Sequence, residues 1–351
     1  MVFAREGGLL AGAIKHLAPK DQEQLTAVSI GAEAVTTSEI EGEILDRASV
    51  QSSIRRQLGL VTDKRRVRPA ERGIAEMMVE LYRSFARPLS AGMLFAWHRM
   101  LMNDRRDITD VGRYRTGPDL IQVVPMQVVS GAMHEPEVHF EAPPSTRVPI
   151  EMGRFIQWFN STGPDGGKAL PTLTRAGIAH LYFVTIHPFE DGNGRIGRAI
   201  AEKALAQGLG QPSLTALAAT ILARRKAYYA ALAAANKTNK LADWLAWFAS
   251  IAIEAQRRTI AQVEFIIEKT RLLDGLRDNL NERQEKVLHR MLREGPAGFE
   301  GGLSAGNYTT ITRTSPATAT RDLADMVAMG ALVRSGERRH ARYSFPFRCI
   351  R

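Results

Sequence analysis

HPFEDGNGRIGR, His187 to Arg198, sets one histidine, two acids, three glycines, one asparagine and two arginines within twelve residues. The surrounding run AHLYFVTIHPFEDGNGRIGRAIAEKALAQ reads as helix, loop, helix, because Pro188 and the Gly-Asn-Gly core interrupt two runs of helical periodicity. The second helix starts near Gly194. A helix start leaves backbone N–H groups unpaired at the positive end of the dipole, a ready anion site. Gly192 and Gly194 let the backbone curl into a nest open to small anions. Arg195 and Arg198, three apart, bring two forked guanidiniums beside it, which suits a polyphosphate. Asp191 is a hard oxygen ligand, and Mg²⁺ is usually held by one or two carboxylates plus substrate phosphates. His187 titrates near neutrality and can take a proton. The constellation predicts phosphoryl or nucleotidyl transfer with His187 as general base. Phe189 is expected to pack into the core and fix the loop.

Working outward, most of the 351 residues read as amphipathic helix: 21–35, 70–85, 90–102 and the runs VPIEMGRFIQWFNST and LADWLAWFASIAIEAQRRTIAQVEFIIEKTRLL. The fold class is mainly α. Residues 112–146 differ, being rich in Val, Gly and Pro, and MQVVS and EVHFE read as two strands around a turn. Other phosphate and metal motifs fail. GPDGGKAL (163–170) is one residue short of a P-loop and has Ala169 where a Ser or Thr would bind Mg²⁺, so it reads as a surface loop. There is no HExxH, and His180 is expected to be structural. One cysteine, Cys349, excludes an intrachain disulfide framework and fits a reducing cytoplasm. No signal peptide is read at the N-terminus and no run reaches membrane-spanning length, so no membrane partner is expected. The net charge of +10 and pI near 9.9 favour polyanionic partners.

HPFEDGNGRIGR resembles the signature of the Fic-domain family, HPFx(D/E)GNGRxxR, with every fixed position matched. The likeness covers roughly residues 90–250. It implies a Fic-type helical bundle with a β-hairpin flap, here at 127–141, and a protein adenylyltransferase that moves AMP from ATP to a Ser, Thr or Tyr hydroxyl of a protein. By that resemblance His187 deprotonates the target hydroxyl and Asp191 holds Mg²⁺. Gly192, Asn193, Gly194 and Arg195 form the anion hole, and Arg198 meets the γ-phosphate. Val128 and Val129 become flap contacts to the target. Tyr229 and Asn236, in YYAALAAAN, become adenine contacts, against the alternative of a core tyrosine and a C-capping asparagine. The resemblance also admits a homodimer, another nucleotide donor, or removal of AMP.

TTSEIEGE (36–43) contains Thr37-x-x-x-Glu41-Gly42, which resembles the family's inhibitory motif, [S/T]xxxE[G/N]. Glu41, expected on a helix, would pair with Arg198 and deny it to the γ-phosphate.

From about residue 281 the pattern is helix, loop, helix and a basic hairpin. Ser315 is placed as N-cap, Pro316 at the first helical position and Gly330 at the helix end, an order that reads as a winged helix-turn-helix. Residues 281–351 hold twelve Arg or Lys against seven Asp or Glu, a net +5. Thr318, Thr320 and Arg321 are candidates for a major groove, with Arg338 and Arg339 for phosphates. The expected organisation is an N-terminal regulatory region 1–88, a catalytic core 89–275 and a winged helix 281–351. A DNA-binding regulator whose Fic core senses nucleotide or modifies itself is the alternative from another class.

Overall fold

The computed structural model describes residues 2–61, 63, 65–116, 127–130, 137–238, 240–277, 279–295, 299 and 301–347. In chain order the helices are α1 (Val2–Lys15), α2 (Pro19–Ile40), α3 (Arg47–Gln57), α4 (Pro69–Ser84), α5 (Ala91–Leu101), α6 (Val148–Ser161), α7 (Thr172–Ile186), α8 (Asn193–Leu209), α9 (Leu217–Ala223), α10 (Arg225–Thr238), α11 (Leu241–Gly275), α12 (Glu282–Leu292), α13 (Ala305–Thr312) and α14 (Pro316–Ala328). The strands are β1 (Gln127–Ser130), β2 (Glu137–Glu141), β3 (Val333–Ser335) and β4 (Arg342–Ser344), paired antiparallel as β1–β2 and β3–β4. The chain is thus mainly helical, as its periodicity predicts. It divides into two compact units, Met1–Leu9 with Gln22–Arg257, and Leu10–Asp21 with Arg258–Arg351.

In the first unit α8 is the central helix. Every residue from Arg195 to Ala206 is buried, which a helix achieves only when apolar on most sides or when its polar groups find partners. Ile196, Ala199, Ile200, Ala201, Ala204 and Leu205 supply the apolar part. Lys203 solves its burial by donating from Nζ to the Ser84 and Phe85 carbonyls at 2.8 and 2.9 Å, closing the end of α4. Antiparallel α7 packs along α8, and a Cβ at Gly197 would lie 2.8 Å from Val184 Cγ1, so the close approach of the pair depends on glycine there. α2 is buried around most of its C-terminal half, through Ile30, Ala34, Val35 and Ile40 as well as Glu33, Thr36, Thr37 and Ser38. Small residues make that possible. The hairpin expected at 127–141 is present as β1 and β2, with Val128 opposite Phe140, Val129 opposite Val138, and an irregularity between Val128 and Val129.

In the second unit α12, α13 and α14 enclose Val287, Leu288, Met291, Tyr308, Leu323 and Met326, and Leu303 bridges Tyr343 beside the β3–β4 hairpin. The polar centre is Asp322 on α14. It accepts from Arg283 Nε and Nη2 (2.8 and 3.0 Å) and from the Tyr308 hydroxyl (2.8 Å), tying the three helices together. Ser315 caps α14 through the Thr318 N–H, and Pro316 opens it, as the sequence signals require. No described helix is long and apolar enough to cross a membrane.

Candidate active site

The motif lies where α7 passes to α8. His187 caps α7 in a left-handed conformation (φ 50°, ψ 58°), its N–H still donating to the Phe183 carbonyl at 3.1 Å. That conformation is uncommon for a non-glycine residue and turns the chain sharply out of the helix. Phe189 then enters the core fully buried, and its ring stacks on His98 with centroids 4.2 Å apart. Asn193 clamps the loop: its Nδ2 donates to the Phe189 carbonyl (2.8 Å) and its Oδ1 accepts the Phe189 N–H (3.0 Å). The side chain is spent there, which leaves its backbone N–H for an anion.

Two residues outside the motif, Arg115 and His98, complete the support. Arg115 donates from its backbone N–H to the Pro188 carbonyl and from Nε to the His187 carbonyl, both at 2.9 Å, and also reaches the Pro143 carbonyl. His98 accepts the Gly112 N–H at Nδ1 (2.9 Å), so its Nε2 is the donor to the Asp191 carbonyl at 3.2 Å. Burial pushes His98 down to about 4 and keeps it neutral. Glu190 turns away from the site and accepts the Thr109 and Asp110 N–H groups.

His187 is also pushed down to about 4, mainly by burial, with Arg115 adding to the effect and a bond to the Val184 carbonyl working against it. At neutral pH its imidazole is uncharged. A neutral imidazole keeps one acceptor nitrogen that can take a proton.

Gly192 caps α8 at φ 81°, and a Cβ there would lie 2.8 Å from Met102 Cε, so only glycine suits the position. Asp191 accepts the Gly192 N–H at 2.5 Å and the Arg105 guanidinium at 3.0 Å, with Arg195 Nη2 at 3.5 Å. Burial raises the Asp191 carboxyl, but Arg195, the Gly192 N–H and Arg105 outweigh it and hold it below the usual carboxylate range. An ionised, partly exposed carboxylate at a helix N-terminus is a fitting ligand for Mg²⁺. Among the described residues no cluster of three or more His, Cys, Asp or Glu surrounds it, so the remaining ligands would be phosphate oxygens and water.

The Thr37–Gly42 segment meets this site directly. α2 ends at Ile40, and Glu41 is its C-cap, not a residue within the helix as the sequence suggested. The Glu43 N–H donates to the Ser38 carbonyl and the Gly42 N–H to the Glu39 carbonyl, both at 3.0 Å, with Gly42 at φ 87°. This is a Schellman turn, and it explains the glycine in the motif. Glu41 Oε1 lies 2.7 Å from Arg198 Nη1, although the N–H direction misses the oxygen, so the contact is an ion pair more than an aligned hydrogen bond. Arg198 is better aligned with Thr37: Nε donates to Oγ1 and Nη2 to the carbonyl, both at 2.7 Å. Burial lowers the basicity of Arg198, but Glu41 outweighs that and holds it above its ordinary range. A Cβ on Gly194 would collide with the Glu41 carboxylate, which therefore sits over the first turn of α8. Arg195, equally buried, pairs with Glu43 Oε2 at 2.6 Å.

The other expected residues fall as follows. Tyr229 donates its hydroxyl to the Ile40 carbonyl at 3.3 Å, just before Glu41, and its ring is partly exposed. Asn236 accepts from Thr185 Oγ1 at 3.0 Å. His180 is structural, as expected, with Nε2 2.8 Å from the buried Tyr228 hydroxyl. In the second unit Thr320, Arg321 and Arg338 are exposed, while the Thr318 hydroxyl is shared with Ser315 at the cap. Arg339 follows Arg338 in the turn between β3 and β4. The motif found His187, Asp191 and both arginines. Arg105, Arg115 and His98 had no local signal, since 86, 72 and 93 residues separate them from their partners. Glu43 had one, as the next acid in the same EIEGE turn.

A family model described as the Fic/DOC family matches residues 88–205, and one described as a domain of unknown function (DUF4172) matches residues 2–60. The protein adenylyltransferase fic-1 of Caenorhabditis briggsae is 27% identical over 148 residues, 42% of this chain. The chain spans only 27% of that relative's length. A Fic family protein from Desulfovibrio desulfuricans G20 shares the fold over 99% of this chain and 96% of its own, with a TM-score of 0.54 at 20% identity. Fic-1 from C. elegans does so over 75% of this chain and 72% of its own, with a TM-score of 0.52 at 22% identity. With the motif, the helical fold and the family model all meeting on the α5–α8 segment, residues 88–205 of this chain form a Fic domain.

Proposed function

We propose that this chain is an autoinhibited protein adenylyltransferase. The broader reading, a Fic-type transferase, draws on the family model and on the adenylyltransferase it resembles. The observation that carries the finer one is that Arg198, buried at the phosphate end of the motif, is held by Thr37 and Glu41 of the α2 end. A site that needs a brake on its terminal arginine is one whose ligand reaches that arginine.

In this reaction the acceptor nitrogen of the neutral His187 ring takes the proton of a Ser, Thr or Tyr hydroxyl. The oxygen bonds the α-phosphorus of ATP while the bond to the bridging oxygen breaks and pyrophosphate leaves. Asn193 and Gly194 turn backbone N–H groups toward the charge that develops, Gly192 shapes the turn that presents them, and Arg195 and Arg198 hold the phosphates in line. Mg²⁺, when bound, would be held by Asp191 and would offset phosphate charge. Tyr229 and Asn236 would meet the adenine, and Val128 and Val129 of the β1–β2 hairpin would guide the target segment.

The test is transfer from labelled ATP in a lysate of matched cells. Glu41→Gly should raise labelling at least tenfold over wild type, and Glu41→Gly with His187→Ala should return it to background. Equal labelling by wild type and Glu41→Gly would remove the brake, and labelling that survives His187→Ala would remove the mechanism.

A second reading concerns the second unit. An exposed Thr320–Arg321 face at the start of a capped helix, with an arginine-rich hairpin beyond it, supports binding of duplex DNA by a winged helix.

A further inference from the structure

The Schellman turn after α2 carries two acids, and both reach the motif. We infer that Glu43 is a second inhibitory carboxylate, closing the anion site at Arg195 as Glu41 closes it at Arg198. The inference rests on the reading of that site as one for a polyphosphate.

Four observations carry it. Glu43 Oε2 accepts a hydrogen bond from Arg195 Nη1 at 2.6 Å, with better alignment than the Glu41–Arg198 contact. Among the described residues Arg195 has one other carboxylate within ion-pair distance, Asp191 at 3.5 Å, and its buried Nε has no hydrogen-bond partner, so its charge is balanced chiefly by Glu43. The left-handed Gly42 reverses the chain between the two acids, and both carboxylates come down on the first turns of α8. An incoming anion therefore meets two negative charges at the N-terminus that should attract it.

The two latches differ in how they open. Glu41 is fixed to the last turn of α2 and sits against Gly194. Glu43, exposed to about the same degree as Glu41, lines a cleft of about 390 Å³ together with Leu45, Arg68, Asn103 and Arg105. Rotation of its side chain into that cleft, toward Arg68, would free Arg195 without movement of the helix. Arg195 is then released by rotation of a side chain, and Arg198 only by displacement of the α2 end.

The test uses the full chain and inorganic tripolyphosphate with Mg²⁺, measured by calorimetry, so that it does not depend on the nucleotide. Glu43→Gln keeps the shape and removes the charge. It should tighten binding about fivefold over wild type, and Glu41→Gly with Glu43→Gln should bind tighter than Glu41→Gly by a similar factor. Unchanged or weaker binding in Glu43→Gln overturns the second latch, as does a double variant no tighter than Glu41→Gly. If Glu43→Gln tightens the probe while Glu41→Gly transfers no AMP, the transferase reading falls and the latch stands. Absence of binding in every variant removes both.

Discussion

Arg198 has two of its nitrogens committed to Thr37 and a third beside Glu41. Thr37 is therefore more than a spacer in its motif. Thr37→Val takes away the acceptor of Arg198 Nε and leaves that donor buried and unsatisfied, at a cost of about 1–3 kcal/mol. The melting temperature should fall, and transfer should rise to a level between wild type and Glu41→Gly. An unchanged melting temperature together with wild-type transfer would show that Thr37 carries no part of the brake. At this scale the sequence was legible wherever chemistry is local. His187, Asp191, Arg195 and Arg198 share one loop, and their spacing alone predicts an anion site with a base. Arg115 and His98, which hold that loop by its carbonyls, come from elements far away in the chain, and nothing in a single sequence joins them to it.

Glu33 and Thr37 on α2 and Glu41 just past its end follow one another at four-residue spacing, and Arg198 and Glu202 do so on α8. One end of this seam is attractive and the other repulsive. Glu33 and Glu202 are both buried, which raises each carboxyl; the Glu202 charge raises Glu33 further, and Glu202 reaches about 7. Its folded pKa lies above its unfolded one. Folding therefore takes up protons, and the stability linked to this site is present at low pH and lost as pH rises from the unfolded value toward about 7. Glu202→Gln should be more stable than wild type above that window, with a melting-temperature gain that grows from about pH 5 to about pH 8. A gain independent of pH would mean that the pair does not titrate in this range. The periodicity of α2 identifies a helix but not one buried on most sides, because Ala, Gly, Ser and Thr fit a core without a strong apolar stripe. The end of α2 is misread from the sequence: Glu41 is expected on the helix, whereas the left-handed Gly42 ends it and leaves Glu41 just past Ile40.

Across the whole molecule the charge is uneven, with half of the net +10 in the last fifth of the chain. The order of α12, α13, α14 and the β3–β4 hairpin follows the capping and turn signals closely, since Ser315, Pro316 and Gly330 act locally. The Asp322–Arg283–Tyr308 centre that joins them was invisible for the opposite reason. If the second unit binds DNA, affinity for random duplex should fall steeply with salt, and Arg338→Ala should lower the slope by about one. Binding that is absent or indifferent to salt would remove DNA as a partner. The centre of the account is the reaction of the Fic domain itself. Its most direct measurement compares ATP labelled on the α-phosphate with ATP labelled on the γ-phosphate, using Glu41→Gly and mapping the modified hydroxyl. Label retained on the target from the α-position alone, and lost with His187→Ala, is the predicted result; label retained from the γ-position would contradict it.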